Sequence, residues 1–242
     1  MLDTVILGSG YFSAGFALNH EGTLIIEETQ LLDPNFCARL SGFAMDAERP
    51  SSPDAASLFD ALLKEGVFNN GKMAVNELEP AFCRFLEKRG LNILLGSFCT
   101  GLKRKDDGYE LEICNNEGIS RISAKRVIDA RVPCGGRMNL LVALKDGTLP
   151  RIEGAAPAFY PDQCTLSADL DRVTDINEAK SLILEKFEDA LAEVGARIVL
   201  TSYRMDGAPI EDAYTDAIGV LHIDERAFGD IFSAYEKGEC LV

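Results

Sequence analysis

Residues 3–28 constrain the fold of this chain more than any other stretch. Asp3-Thr-Val-Ile-Leu-Gly8-Ser-Gly10-Tyr-Phe-Ser13-Ala-Gly15-Phe-Ala-Leu18 passes from an apolar strand through a glycine-rich turn into a helix. Thr23-Leu-Ile-Ile26 returns as a second apolar strand and ends on Glu27 and Glu28. Val5-Ile-Leu7 carries no charge, as a parallel strand covered on both faces requires. Gly8 permits a tight turn, and Gly10 lacks a Cβ, so a pyrophosphate can approach the backbone. The helix from about Tyr11 offers free N–H groups and a partial positive charge to phosphates. Glu27 lies about 20 residues beyond Gly8, where a carboxylate accepts hydrogen bonds from ribose hydroxyls and repels a 2′-phosphate. Glu28 points to the opposite face. Ser13 stands where the third fingerprint glycine would fall. Ala14, Gly15 and Ala17 keep the helix face small for close approach to the sheet. The segment predicts a βαβ dinucleotide-binding unit; a βαβ unit whose turn binds nothing is the alternative.

Charge and cysteine usage narrow the class. A net charge of −15 over 242 residues repels phosphate backbones and anionic membranes, which argues against nucleic-acid binding. The dense basic stretch Lys103-Arg104-Lys105 runs at once into Asp106-Asp107, a solvated turn. Cys37, Cys83, Cys99, Cys114, Cys134, Cys164 and Cys240 are scattered, with no C-x-x-C pair, so neither a disulfide framework nor a zinc site is expected. Met1 leads directly into the first strand, so no secretory leader is expected. No apolar run approaches the roughly 18 residues of a membrane span. The expectation is a soluble cytoplasmic protein with a small-molecule partner, no metal and no membrane contact. Its oligomeric state is left open.

The rest of the chain alternates strands and helices. Residues 29–53 are irregular and contain Arg39-Leu40-Ser41-Gly42; long irregular segments in compact domains are often functional. Residues 54–66 and 76–90 read as helices stopped by Gly66 and Gly90, with Pro80 in the first turn of the second. A strand at 91–95 follows. A hairpin turns at Asp107-Gly108, and two further strands are expected at 120–123 and 125–130. Beyond Arg131, strands at 139–144 and 165–171 precede a periodic helix over 177–194, whose apolar face is Ala179, Leu182, Ile183, Phe187, Ala190, Leu191 and Val194. A strand at 197–203 and a last helix at 227–235 complete the reading. The predicted class is α/β: a Rossmann-like parallel sheet with an antiparallel β-meander insertion, plus a smaller α+β cap. Residues 1–135 form the first unit and 136–242 the second, which can return to the first at its C-terminal end.

Three features together resemble the FAD-dependent oxidoreductases of the two-dinucleotide-fold type. They are the Gly8-x-Gly10 turn with Glu27, the run Phe82–Leu95 with Cys99-Thr-Gly-Leu102, and Ala124-Lys-Arg-Val-Ile-Asp-Ala130. The resemblance covers about the first 135 residues. It implies FAD as cofactor, with Gly8, Ser9, Gly10 and Phe12 lining the pyrophosphate between Tyr11 and Ser13. It implies Glu27, beside Glu28, at the adenosine ribose, and Phe98 and Cys99 flanking the adenine. It places Leu40, Ser41 and Gly42 near the flavin, together with the turn at Ala130 and Arg131. Two departures stand out. The family's Ala-Thr-Gly is Ala130-Arg131-Val132 here. The family's C-terminal Gly-Asp turn is matched only faintly, by Asp216–Gly219 or Phe228-Gly-Asp230.

In a flavoenzyme the cofactor carries the redox step, so few side chains need be reactive. His20 is expected to cap the first helix, and His222 to be a satisfied structural histidine. Cys134 is read as a buried thiol near the cofactor turn. The leading expectation is hydride transfer between a small molecule and flavin. The alternatives are a non-catalytic or cofactor-free protein on the same fold, and an NAD-dependent dehydrogenase.

Overall fold

The computed structural model describes residues 1–40, 48–69, 72–133, 135–147, 149, 152–170, 173, 175–207 and 213–241. β1 (Leu2–Leu7), α1 (Tyr11–Asn19) and β2 (Thr23–Glu27) form the opening unit. α2 (Pro53–Glu65), the short strands β3 (Phe68–Asn69) and β4 (Lys72–Met73), and α3 (Val75–Leu86) lead to β5 (Ile93–Leu95). β6 (Phe98–Lys105), β7 (Gly108–Asn115) and β8 (Gly118–Asp129) make the meander. β9 (Arg137–Ala143), β10 (Ala155–Pro157), β11 (Gln163–Asp169), α4 (Ile176–Glu193) and β12 (Arg197–Thr201) follow. β13 (Tyr214–Thr215), β14 (Leu221–His222) and α5 (Ile231–Cys240) close the described chain.

The main sheet runs β13-β14-β8-β1-β2-β5, and β7 and β6 extend from β8. The pairings along β14-β8-β1-β2-β5 are parallel, while β13 and the meander strands β7 and β6 join antiparallel. Side chains alternate across it. Ile6, Ile25 and Ile128 face a helical layer with Tyr11, Phe12, Phe16, Phe82, Phe232 and Tyr235. Val5, Leu7, Leu24, Ile26 and Val127 face Tyr109, Leu111 and Ile113 of the meander. Covered on both sides, these strands are apolar at their centres, Val5–Leu7, Leu24–Ile26 and Val127–Ile128.

The α/β class and the Rossmann-like sheet with its meander are as read from the sequence. Four local expectations are corrected. The strands expected at 120–123 and 125–130 are one, β8, which pairs antiparallel with β7 up to Ala124 and parallel with β1 from Ala124 onward. Its polar first half and apolar second half have different neighbours, so a single strand reads as two. Gly15 does not serve the sheet: a Cβ there would strike Tyr235 O, while one at Gly238 would strike Phe12 O, so α1 and α5 meet backbone to backbone. Pro80 lies in the second turn of α3, inside the helix. The helix expected at 227–235 is broken at Gly229 into a 3-10 turn, Glu225–Phe228, and α5.

The second sheet is antiparallel, in the order β10-β11-β9-β12. One face, with Met138, Leu140, Val142, Cys164 and Leu166, packs on Ala179, Ile183, Phe187 and Leu191 of α4. Asp175 caps that helix by accepting from the amides of Asn177 and Glu178. The other face carries Leu141, which packs with Leu40, Val75 and Ala158. Asn139 donates from Nδ2 to the Arg39 carbonyl at 2.6 Å. The irregular segment before Ser41 is thereby held between the two sheets. Among the described residues, no helix is long and apolar enough to cross a membrane.

Candidate dinucleotide seat

The glycine turn sits at the C-terminal edge of the parallel strands, where open α/β sheets place their ligands. Gly8 has φ +94°, and an added Cβ would meet Arg131 N at 2.9 Å, so both its conformation and its surroundings require glycine. Ser13, at the third fingerprint position, donates from Oγ to the Gly8 carbonyl at 2.8 Å. It ties the helix to the turn, an addition to the small size expected of it.

Glu27 stands at the end of β2 and is only 2% exposed. Its Oε2 accepts from Ser9 N at 2.9 Å and Ser9 Oγ at 3.1 Å, and its Oε1 accepts from Thr29 N at 2.7 Å. The carboxylate thus binds the chain's own turn through both oxygens. Glu28, beside it, is half-buried and pairs with Arg131 at 3.3 Å and Arg204 at 3.8 Å.

A second carboxylate meets the turn from far along the chain. The 3-10 turn after β14 delivers Glu225, 2% exposed, to the head of α1. Gly10 is the N-cap there and has no side chain to satisfy the first amides. Glu225 Oε2 accepts from Phe12 N at 3.1 Å, and Tyr11 N also donates to this carboxylate. Asn35 donates from Nδ2 to Glu225 Oε1 and to the Ser9 carbonyl. A Cβ on Gly10 would collide with both carboxylate oxygens. The cradle that Gly10 leaves open is therefore filled by Glu225. Burial pushes this carboxyl up to about 7, against the hydrogen bonds from Asn35, Phe12 N and Tyr11 N, which favour its charged form.

Two more acids lie close by. Asp33 is fully buried and accepts from Tyr11 Oη at 3.2 Å and Phe36 N at 3.1 Å. Burial, and then repulsion from Glu225 and Glu79, hold it well above the usual carboxylate range. Glu79 accepts from Leu32 N at 2.6 Å and Asp33 N at 2.7 Å. Donor atoms of Asp33, Cys37 and Glu79 come within 4.8 Å of one another, but the carboxylate oxygens are already used by amides and a phenol.

The other expected residues are spread out. Tyr11 packs tilted against Phe82 with ring centroids 4.3 Å apart, and Phe12 stacks on Phe228, so both rings enter the core and only their amides face the seat. Leu40 (φ +52°) is buried with Leu141 under the second sheet. Ser41, Gly42 and Cys134 lie outside the described residues. Ala130 is buried and donates its amide to Leu7 O at 2.8 Å. Arg131 folds back on Asp129, at 2.9 and 2.7 Å, instead of reaching the glycine turn with its guanidinium. Phe98 is 49% exposed. Cys99 lines an open pocket of about 310 Å³ with Leu7, Asp129, Arg131, Asp216 and His222. His20 bonds Phe16 O at 2.9 Å, the expected helix-end role. His222 contacts Asp216 Oδ2 at 3.1 Å and stacks on Tyr214.

Sequence reading missed Glu225, Asn35 and Asp33. The turn that follows the last parallel strand is Asp224-Glu225, not either of the two faint candidates. Asp216 ties the loop between β13 and β14, and Asp230 caps α5. The available signal was the apolar run Val220–Ile223 ending on two acids, the pattern already seen at Glu27-Glu28.

No family model matches the chain, and no curated protein matches it. Its fold is that of solved flavoproteins. A flavoprotein/dehydrogenase from Cytophaga hutchinsonii superposes with a TM-score of 0.57 at 15% identity, over 98% of this chain and 76% of that one. The anhydrotetracycline hydroxylase OxyS from Streptomyces rimosus gives 0.55 at 17% identity, over 98% and 61%. Aklavinone-11 hydroxylase, solved with FAD and aklavinone, gives 0.53 at 14% identity, over 91% and 56%. The chain thus spans little more than half the length of the two hydroxylases. At these identities the likeness is one of fold.

Proposed function

We propose that this chain is a cofactor-free relative on the fold of FAD-dependent hydroxylases and dehydrogenases. One observation carries the reading: the Glu225 carboxylate occupies the head of α1 and the space above Gly10, where a dinucleotide would lay its pyrophosphate. A phosphate and a buried carboxylate cannot share one set of amides, since like charges at that distance repel strongly in a low-dielectric site. The ribose position is engaged as well, because both oxygens of Glu27 hold backbone amides of the chain. The residues present therefore do not fit the pyrophosphate of FAD in this conformation, and NAD would need the same place. The open pocket lined by Asp129, Arg131, Asp216 and His222 remains for a small polar ligand.

A second reading is an FAD-dependent oxidoreductase acting on a small molecule. The fold shared with flavoenzymes and the carboxylate at the end of β2 favour it. It requires the Glu225 turn to move away. The visible spectrum of the purified protein, followed by titration with FAD, separates the two. The expected result is a colourless protein with no saturable FAD uptake. Bound flavin absorbance, or saturable quenching of flavin fluorescence, would overturn the cofactor-free reading in favour of the second.

A further inference from the structure

The glycine turn retains the features of an anion cradle, and the cradle holds an anion supplied by the chain itself. Three donors converge on Glu225: the amides of Tyr11 and Phe12 and the side chain of Asn35. Gly10 independently marks the same point, because any side chain there would strike the carboxylate. The carrier is built to stay. Asp224 accepts from Arg226 N and pairs with its guanidinium at 2.7 Å, and Arg226 also holds Asp206 and the Gly207 carbonyl. Behind it, Phe228 stacks on Phe12.

We propose that the Glu225 carboxylate is a built-in replacement for the phosphate the turn would otherwise hold, and that deleting it converts the turn into a site for an external oxyanion. The inference rests on the cofactor-free reading and explains how the seat is kept closed. Cutting the Glu225 side chain back to Cβ removes the carboxylate and leaves the Phe12 and Tyr11 amides facing a vacated volume, with the Asn35 amide, still bonded to the Ser9 carbonyl, at its edge. Buried donors without acceptors are costly, so a small oxyanion is drawn in.

The test uses inorganic phosphate as probe, with calorimetric titration and melting temperature as readouts, on the full chain. Glu225→Ala should bind phosphate at least about tenfold more tightly than the native protein and should melt higher as phosphate is added. Glu225→Gln fills the same volume and should show no such gain. A folded Glu225→Ala whose phosphate response equals that of the native protein overturns the proposal. So does an equal gain in Glu225→Gln, which would reflect the lost negative charge alone and not an opened seat. If Glu225→Ala does not fold even with phosphate present, Asn35→Ala decides: loosening the carboxylate should raise the phosphate response a few-fold, and an unchanged response overturns the proposal. FAD uptake by the native protein defeats the cofactor-free reading separately. The inference then stands if Glu225→Ala tightens that uptake and falls if it does not.

Discussion

Two carboxylates grip the same glycine turn from opposite ends of the chain. Glu27 comes from the next strand, 18 residues from its partner Ser9, and Glu225 from a turn 213 residues beyond its partner Phe12. Both are buried, and both accept backbone amides of the turn. They differ in what they stand for. Glu27 keeps the place a ribose-binding acid has in dinucleotide folds but spends its oxygens on the turn itself. Glu225 has no such counterpart in the turn's sequence pattern and takes the phosphate's place. On the cofactor-free reading we propose, the chain keeps its turn, its helix and its strand-end acid while one distant residue closes the seat.

The harshest way to break the comparison is Gly10→Val. Its side chain must displace the Glu225 carboxylate from the α1 amides, so overpacking and lost hydrogen bonds add. A stability loss of about 4 kcal/mol or more is expected in urea denaturation. A variant as stable as the native protein would mean that the Glu225 turn yields freely.

Glu225→Gln sharpens the comparison through pH. The Glu225 carboxyl is raised to about 7 in the fold, while an unfolded glutamate titrates near its model value of 4.5. Between those values the folded chain holds a proton that the unfolded chain has released, so stability falls as pH rises through that window. Asp33 is shifted in the same direction. The glutamine variant lacks the Glu225 share. Its stability relative to the native protein should improve by up to about 3 kcal/mol between about pH 5 and pH 8, at roughly 1.4 kcal/mol per unit. A constant difference across that range would place Glu225 in solvent.

The smallest effect belongs to the local partner. Glu27→Gln keeps one acceptor oxygen and turns an NH₂ toward either Ser9 N or Thr29 N. A loss of about 1–2 kcal/mol is expected, read as a shifted urea midpoint at unchanged slope. A loss as large as that of Gly10→Val would make the Glu27 end the principal lock.

Residues 1–28 were readable because their signals are local. Strand alternation, glycine at a turn and an acid at a strand end all act within a few residues of one another. The stop of α2 at Gly66, a left-handed C-cap, follows the same rule. Where neighbours change along an element, reading failed. β8 reads as two strands because its partner switches at Ala124, and Gly15 reads as facing the sheet although it faces α5. The seat was legible only on its near side. Asn35 lies in a segment with no period, and Glu225 is marked only by the short run Val220–Ile223 before two acids, which gives no hint that it reaches the head of α1.

The sequence alone determined that a glycine turn would join two parallel strands through a helix and end beside Glu27, since hydrogen bonding and sterics over 25 residues leave few other choices. Only the tertiary structure decided what fills that turn. β14 adds beside β8, and the chain then carries Glu225 onto the head of α1. That contact depends on sheet order and on the docking of α5 against α1, long-range packing that no local pattern encodes.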